Sequence, residues 1–331
     1  MVRLKSIGFG WGIAASCFTA LLVATSGVLA QEIYPERAIK LVVPFPPGGP
    51  TDVFGRIVAT HLSDLLGQQV VVDNRAGASG IVGTEYVARS KPDGYTLLFG
   101  TAATHAINLA LYSKLPYDAV RDFEPVAFVG VVPQVLLVHP SLPSSLNELL
   151  SLLRKNPGKY TYASAGNGTT THLTGELLKS AAGISILHVP YKGSAPALQD
   201  VMGGQVNLMF ESFGTSLAHI QSGRLKPVAV AAGKRSTAAP DVPTFTEAGL
   251  PGFEAATWNI VAAPAGTPKN IIGKLNGAIN EAMRNPGASA QLMKLGIQPV
   301  DDSTPSGTAE TIRQEADKWA IAVKASGAKI D

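Results

Sequence analysis

From residue 39 onward one phrase repeats: a β-branched apolar run, a Gly-rich turn, then apolar positions three or four apart. Residues 39–45 read as a buried strand and 46–52 (PPGGPTD) as a turn. Val53, Ile57, His61 and Leu65 then mark a helical face that ends at Gly67. Next come a strand at 69–73, a turn at 74–80 (NRAGASG) and a helix over 81–90. A strand at 95–99 leads through 100–104 (GTAAT) to a helix from about His105. This alternation predicts an α/β chain with parallel sheets and helices on both faces.

The pattern changes at 129–138, an apolar run containing Pro133 that is too long for one ordinary strand and reads as a crossover between two domains. A helix follows Ser145, which with Glu148 has the spacing of a capping box. The phrase then resumes: strand 160–164, turn 165–171 and a helix through Ser180. Strands at 186–190, 206–210 and 225–231 come next, the first two followed by turns 191–196 and 211–216. A Pro-rich surface loop at 239–251 precedes a second crossover strand, 253–262, and helices over 268–284 and 308–324. Two crossovers predict a discontinuous first domain, 31–137 plus 255–331, and a second domain, 138–254.

Residues 1–30 read differently. Arg3 and Lys5 precede an apolar stretch over 7–23, and Val28-Leu29-Ala30 ends it with residues a signal peptidase accepts. This predicts a secretory signal cut after about Ala30 and a periplasmic protein, with an uncleaved anchor as the alternative. Cys17, the one cysteine, falls inside this leader, so the exported chain would have no disulfide, no thiolate nucleophile and no Cys-ligated zinc. Removing the leader's two basic residues from 27 leaves 25 against 24 acidic ones, which gives no electrostatic footprint for nucleic acid.

The Gly/Ser/Thr-rich turns carry the candidate chemistry. Each would aim free N–H groups of a helix start at the sheet's carboxyl edge, a setting that favours an anion such as phosphate or carboxylate. Taken singly, each such turn is also an ordinary helix cap. Arg75 and Lys192 are the exceptional basic residues in these turns; Arg75 reads either as facing a ligand or as a structural ion pair. Nucleotide motifs are missing: Gly166-Asn-Gly168 begins a G-x-G-x-x-G, but Thr171 replaces the third glycine. No G-x-S-x-G occurs, and no catalytic residue, cofactor or metal is predicted. His172 and Glu176, four apart, lack a third metal ligand in view. His188 reads as a satisfied core histidine, while Phe45, Tyr191 and Trp258 are either pocket or core aromatics.

Several segments together resemble a known family. They are IKLVVPFPPGGPTD (39–52), VVDNRAGASG (71–80), PDGYTLL (92–98), YASAGNGTTTHLTGE (162–176), HVPYKG (188–193) and DVPTFTEAG (241–249). The set closely resembles the Bug-type extracytoplasmic solute receptors of tripartite tricarboxylate transporters, over essentially the whole exported chain. The resemblance implies two doubly wound α/β domains joined by crossover strands, a type II periplasmic-binding-protein-like fold with a ligand cleft between them. It implies a small carboxylate ligand (mono-, di- or tricarboxylate, with aromatic or amino acids included) and the transporter's membrane permease subunits as partners. By position, the first domain would contribute Phe45, Pro46, Gly48, Gly49, Thr51, Asp52, Gly77, Ala78, Ser79, Thr101 and Thr104. The second would contribute Ser164, Gly166, Gly168, Thr169, His172, Tyr191 and Glu211. Ser79 stands where many relatives carry Gly, and Glu211 where relatives often carry Asp, which leaves the acid's identity open. The readings kept as alternatives are a ligand sensor feeding a signalling system and a periplasmic enzyme using His172 or Glu211 as base.

Overall fold

A computed structural model of the protein describes residues 1–4 and 34–326. The predicted leader from residue 5 and its cut after about Ala30 lie outside the described residues. The chain divides into Met1–Tyr34 and Pro35–Asp331, and the fold lies in the second.

The strands, in order, are β1 (Ile39–Val43), β2 (Val70–Asn74), β3 (Thr96–Thr101), β4 (Phe123–Pro133), β5 (Val135–Val138) and β6 (Thr161–Ser164). They continue with β7 (Leu187–Pro190), β8 (Leu208–Glu211), β9 (Lys226–Val230), β10 (Ala256–Pro264) and β11 (Gln298–Pro299). They form two sheets, ordered β11-β4-β10-β3-β1-β2 and β7-β6-β8-β5-β9. The β1, β2 and β3 pairings are parallel, as are those of β6 with β7 and β8. The expectation of parallel sheets is corrected elsewhere. β10 runs antiparallel to both β3 and β4, and β5 antiparallel to β8 and β9. The reason is topological: these strands carry the chain between sheets, so they enter each sheet from the opposite end.

The apolar run read as one crossover is two strands broken at Gln134. β4 belongs to the first sheet, and β5 begins one residue later in the second. The two crossings bond to each other and to the end of β9: Gln134 N–H donates to the Ala255 carbonyl (3.3 Å), Ala231 N–H to the Gln134 carbonyl (2.8 Å), and Ala255 N–H to the Ala231 carbonyl (3.0 Å).

Period-2 alternation places the cores. Leu136, Leu208 and Phe210 pack on one face of the second sheet with Leu149, Leu153 and Phe245. Val135, Leu137 and Met209 face the other side, against Leu198 and Phe213. On the first sheet, Val42, Leu98 and Ile260 pack with Trp319 of the last helix, Pro305–Ser326. Each such buried side chain contributes about 1.5–3 kcal/mol. Ser145 does sit at the N-cap of the helix Leu146–Lys155, but its side chain makes no cap hydrogen bond, so the capping box is not formed. Instead the first turn closes through the backbone, Leu149 N–H to the Ser145 carbonyl at 2.9 Å. Three helices went unread in the sequence: Ser194–Met202, Phe213–Gln221 and Pro286–Lys294.

Candidate functional site

A cleft of about 680 Å³, open mouth included, lies where the turns following parallel strands of both sheets meet. The first sheet supplies Phe45, Pro46, Pro47, Gly49, Pro50 and Thr51 after β1, Thr101 and Ala103 at the end of β3, and Thr257 on β10. The second supplies Ala165, Thr169, Thr170 and Thr171 after β6, 192–196 after β7, and Glu211 at the end of β8; Gln134 stands at the crossing. Three helices thus begin in the wall: Pro50–Leu66, Thr170–Ala182 and Ser194–Met202. Helix starts leave N–H groups without intrahelical partners and carry the positive end of the helix dipole. Only Lys192, at the rim, and Glu211 bring formal charge to the lining.

Of the residues singled out by sequence, Phe45, Pro46, Gly49, Thr51, Thr101, Thr169 and Glu211 line the cleft. The others stand behind or beside it. Buried Asp52 accepts from Gly48 N–H (2.9 Å), Arg56 Nε (3.0 Å) and Asn74 Nδ2 (2.9 Å), and so fixes the turn after β1. Burial works to raise its pKa, but the hydrogen bonds from Arg56, Gly48 and Asn74, with the Arg56 charge, outweigh it and hold the carboxyl below its ordinary value. Thr104 Oγ1 accepts Thr101 N–H at 2.9 Å and so braces the end of β3. Gly77, Ala78 and Ser79 lie at the turn before the helix Ile81–Ala88, where the Ser79 hydroxyl donates to the Asn167 carbonyl of the second-sheet turn. Tyr191 turns its hydroxyl to Asp200 (2.6 Å). Arg75 pairs with Asp73 (2.9 Å) over the Tyr86 ring, the structural alternative of its two readings. Trp258 lines a different cavity, with Glu315 and Lys318.

The turn 164–169 is braced by a stack. His172 Nδ1 accepts Gly168 N–H (3.1 Å), Ser164 Oγ meets His188 Nε2 (2.6 Å), and the two imidazoles stack at 4.1 Å, with Tyr162 beyond His188 at 4.8 Å. His188 is satisfied, but half-buried on the edge strand β7 instead of in the core. Glu176 accepts from Tyr162 Oη (2.6 Å) and Lys179 (2.9 Å). Among the described residues no group of His, Cys, Asp and Glu could hold a metal ion.

Burial, helped by neighbouring His172, which cannot share a proton's charge with it, and by the Lys179 charge, pushes the His188 pKa down to about 3. Burial likewise lowers His172, against the pull of Glu176, and alone takes fully buried His105 to about 3. The fold therefore holds these rings neutral, and the unfolded chain takes up protons first once pH drops below about 6.5. Stability should be full above that pH and be lost on the way down toward 3. In melts followed by circular dichroism, Tm should fall between pH 7 and 5, and His188→Gln should flatten the slope; an unchanged slope would show that the ring titrates freely.

The remaining wall is made of buried polar atoms without partners. Thr101 Oγ1, Gln134 Oε1 and Glu211 Oε2 have no hydrogen-bond partner, although their residues are 2%, 2% and 0% exposed. Sequence reasoning had selected Thr101 and Glu211. Gln134, hidden inside an apolar run, gave no signal except its own polarity. In the sequence 191–196 reads as a turn containing Lys192, and none of 192–196 stands out as a contact, although a Cβ at Gly193 would lie 3.0 Å from Pro46 across the cleft.

Two α/β sheets joined by paired crossings, with the loops of both around one cleft, define a two-sheet solute-binding fold. The chain belongs to the family described as "Tripartite tricarboxylate transporter family receptor", which matches residues 54–328. It is 42% identical over 315 residues to protein BugT of Bordetella pertussis (strain Tohama I), covering 94% of this chain and 96% of that one. A structure from R. palustris solved with adipate is 38% identical and superposes with a TM-score of 0.87, over 90% of this chain and all of that one. The periplasmic binding protein BugD gives 37% identity and a TM-score of 0.85 over the same shares. Among the described residues no helix is long and apolar enough to cross a membrane.

Proposed function

We propose that the chain is a non-catalytic periplasmic receptor that captures a small carboxylate in this cleft and hands it to the membrane permease subunits of a tripartite transporter. The observation that carries the reading is the convergence of three helix starts on one cleft whose lining has a single basic and a single acidic side chain. Dipoles, not formal cations, would hold the anion. The family membership and the adipate-bound relative support a carboxylate as cargo.

In this reading the two sheets are the frameworks of two domains, 31–137 plus 255–331 and 138–254, that hinge about the paired crossings. Capture would run as domain closure. Ser79 against Asn167, and Pro46 against Gly193, are meetings that exist only with the two sets of loops together. A ligand touching both sets would favour that closed arrangement by its differential affinity. Protein stripped of ligand by unfolding and refolding should gain Tm with one or a few organic acids. A ligand at about 100 times its Kd adds about 2.7 kcal/mol of stability. No shift across a broad panel at millimolar concentration would defeat the proposal.

A further inference from the structure

We infer that the captured acid carries, beyond its anchoring carboxylate, a hydrogen-bond donor (hydroxyl or ammonium), and that Gln134 Oε1 at the crossing between the sheets accepts it. This rests on the carboxylate reading above and narrows it to a substrate class.

Five buried side-chain atoms in the described residues lack a hydrogen-bond partner, and Thr101 Oγ1, Gln134 Oε1 and Glu211 Oε2 are the three whose residues line the cleft. All three are oxygens able to accept. A plain alkyl carboxylate offers only acceptors and methylenes: it can take a hydrogen bond from the Thr101 hydroxyl, but it leaves the Gln134 amide oxygen unmet. The Gln134 amide is oriented by its surroundings. Its Nε2 faces the Val132 carbonyl at 3.5 Å, an acceptor, so the oxygen is the end left over. An amide oxygen has no proton to give, which makes a donor the only group that can satisfy it. Glu211 Oε1 is occupied by Ser212 N–H at 2.8 Å, leaving Oε2 as that side chain's free end.

Gln134 also has the right place to report occupancy. It is the single residue between β4 and β5, and its backbone bonds both to Ala255 of the return crossing and to Ala231 at the end of β9. A ligand donor on its side chain would therefore bind at the backbone about which closure turns, so that bond also favours the closed arrangement.

The test is titration calorimetry on ligand-stripped protein with matched acids of three to six carbons. Each dicarboxylate is compared with its hydroxy and amino derivatives, as succinate is with malate and aspartate. On the wild type the best donor-bearing acid should bind about 10–100-fold tighter than its parent. The stronger of the hydroxy and amino arms identifies the donor. Gln134→Leu, which keeps the bulk without the acceptor, should bring that acid down to its parent's affinity while the parent changes less than about threefold. Gln134→Asn, which keeps the amide but draws it back, should lose part of the preference and guards against a leucine variant that does not fold. Parents binding as tightly as their derivatives would overturn the inference and leave the carboxylate reading standing. So would Gln134→Leu weakening all acids alike, which is the mark of a purely structural role. Failure of every acid to bind would remove both.

Discussion

Gly175→Ala should melt far below the wild type, although it adds a single methyl group inside a helix where alanine is the better helix former. A Cβ at Gly175 would lie 2.2 Å from Tyr162 Cε2 and 2.6 Å from Cζ. Tyr162 cannot step aside. It is fully buried, its hydroxyl donates to Glu176 Oε1 (2.6 Å), and its ring stacks on His188. Moving it would disturb the His188–His172 stack that braces the turn 164–169 on the cleft side. Overpacking of a rigid site costs about 3 kcal/mol or more, and at about 2–4 °C per kcal/mol Tm should drop by roughly 6–12 °C. Gly273→Ala is the control. It lies in the helix Lys269–Arg284 with nothing within 4 Å of its Cβ, so propensity alone acts and stability should rise by about 0.5–1 kcal/mol. Equal melting points for Gly175→Ala and the wild type would mean that Tyr162 is not held as described.

Glu211→Gln should make the ligand-free protein more stable, and increasingly so as pH rises. Burial raises the Glu211 pKa; Ser194, Ser212 and Thr215 oppose it without cancelling it. A carboxyl that holds its proton more tightly when folded contributes stability that is full below the unfolded value of about 4.3 and is lost as pH climbs through the raised native value. Above that window the wild type must either ionise Oε2 without a partner or hold a proton there against solution pH. Glutamine has the same shape and no charge to bury. Its advantage should be near zero at pH 4 and grow to about 1–3 kcal/mol by pH 8, a few degrees in Tm. Parallel Tm curves for the two proteins from pH 4 to 8 would show that Glu211 titrates as in water.

How much of this could be read beforehand differs from element to element. The strand–turn–helix phrase located β1, β2 and β3 and the helices after β1 and β2, because β-branched runs and i, i+3, i+4 spacing are local signals. It located the helix after β6 for the same reason, but let the turn run through Thr171, although the helix already begins at Thr170. The antiparallel entry of β4 and β10 was not legible, since strand direction is set by where the chain comes from, and residue pattern says nothing of it. The helix Ser194–Met202 hid behind Pro196, which reads as turn chemistry but sits in the first turn of the helix, where a missing N–H costs nothing. For the site, sequence pointed to turns that meet at the cleft more often than to the side chains that line it. Position alone could not show that Asp52 and Thr104 face backbone groups, or that Tyr191 faces Asp200. Gln134 escaped because a lone polar residue between apolar strands looks like any other interruption.

A crystal structure of the ligand-stripped protein grown with the tightest-binding acid tests the central claim most directly. One acid should be bound per chain, its carboxylate between the turns that begin at Phe45 and Ala165, with Thr51 and Thr169 among its neighbours. An acid seated instead in the cavity beside Trp258 and Glu315, or none in the cleft at saturating concentration, would contradict it.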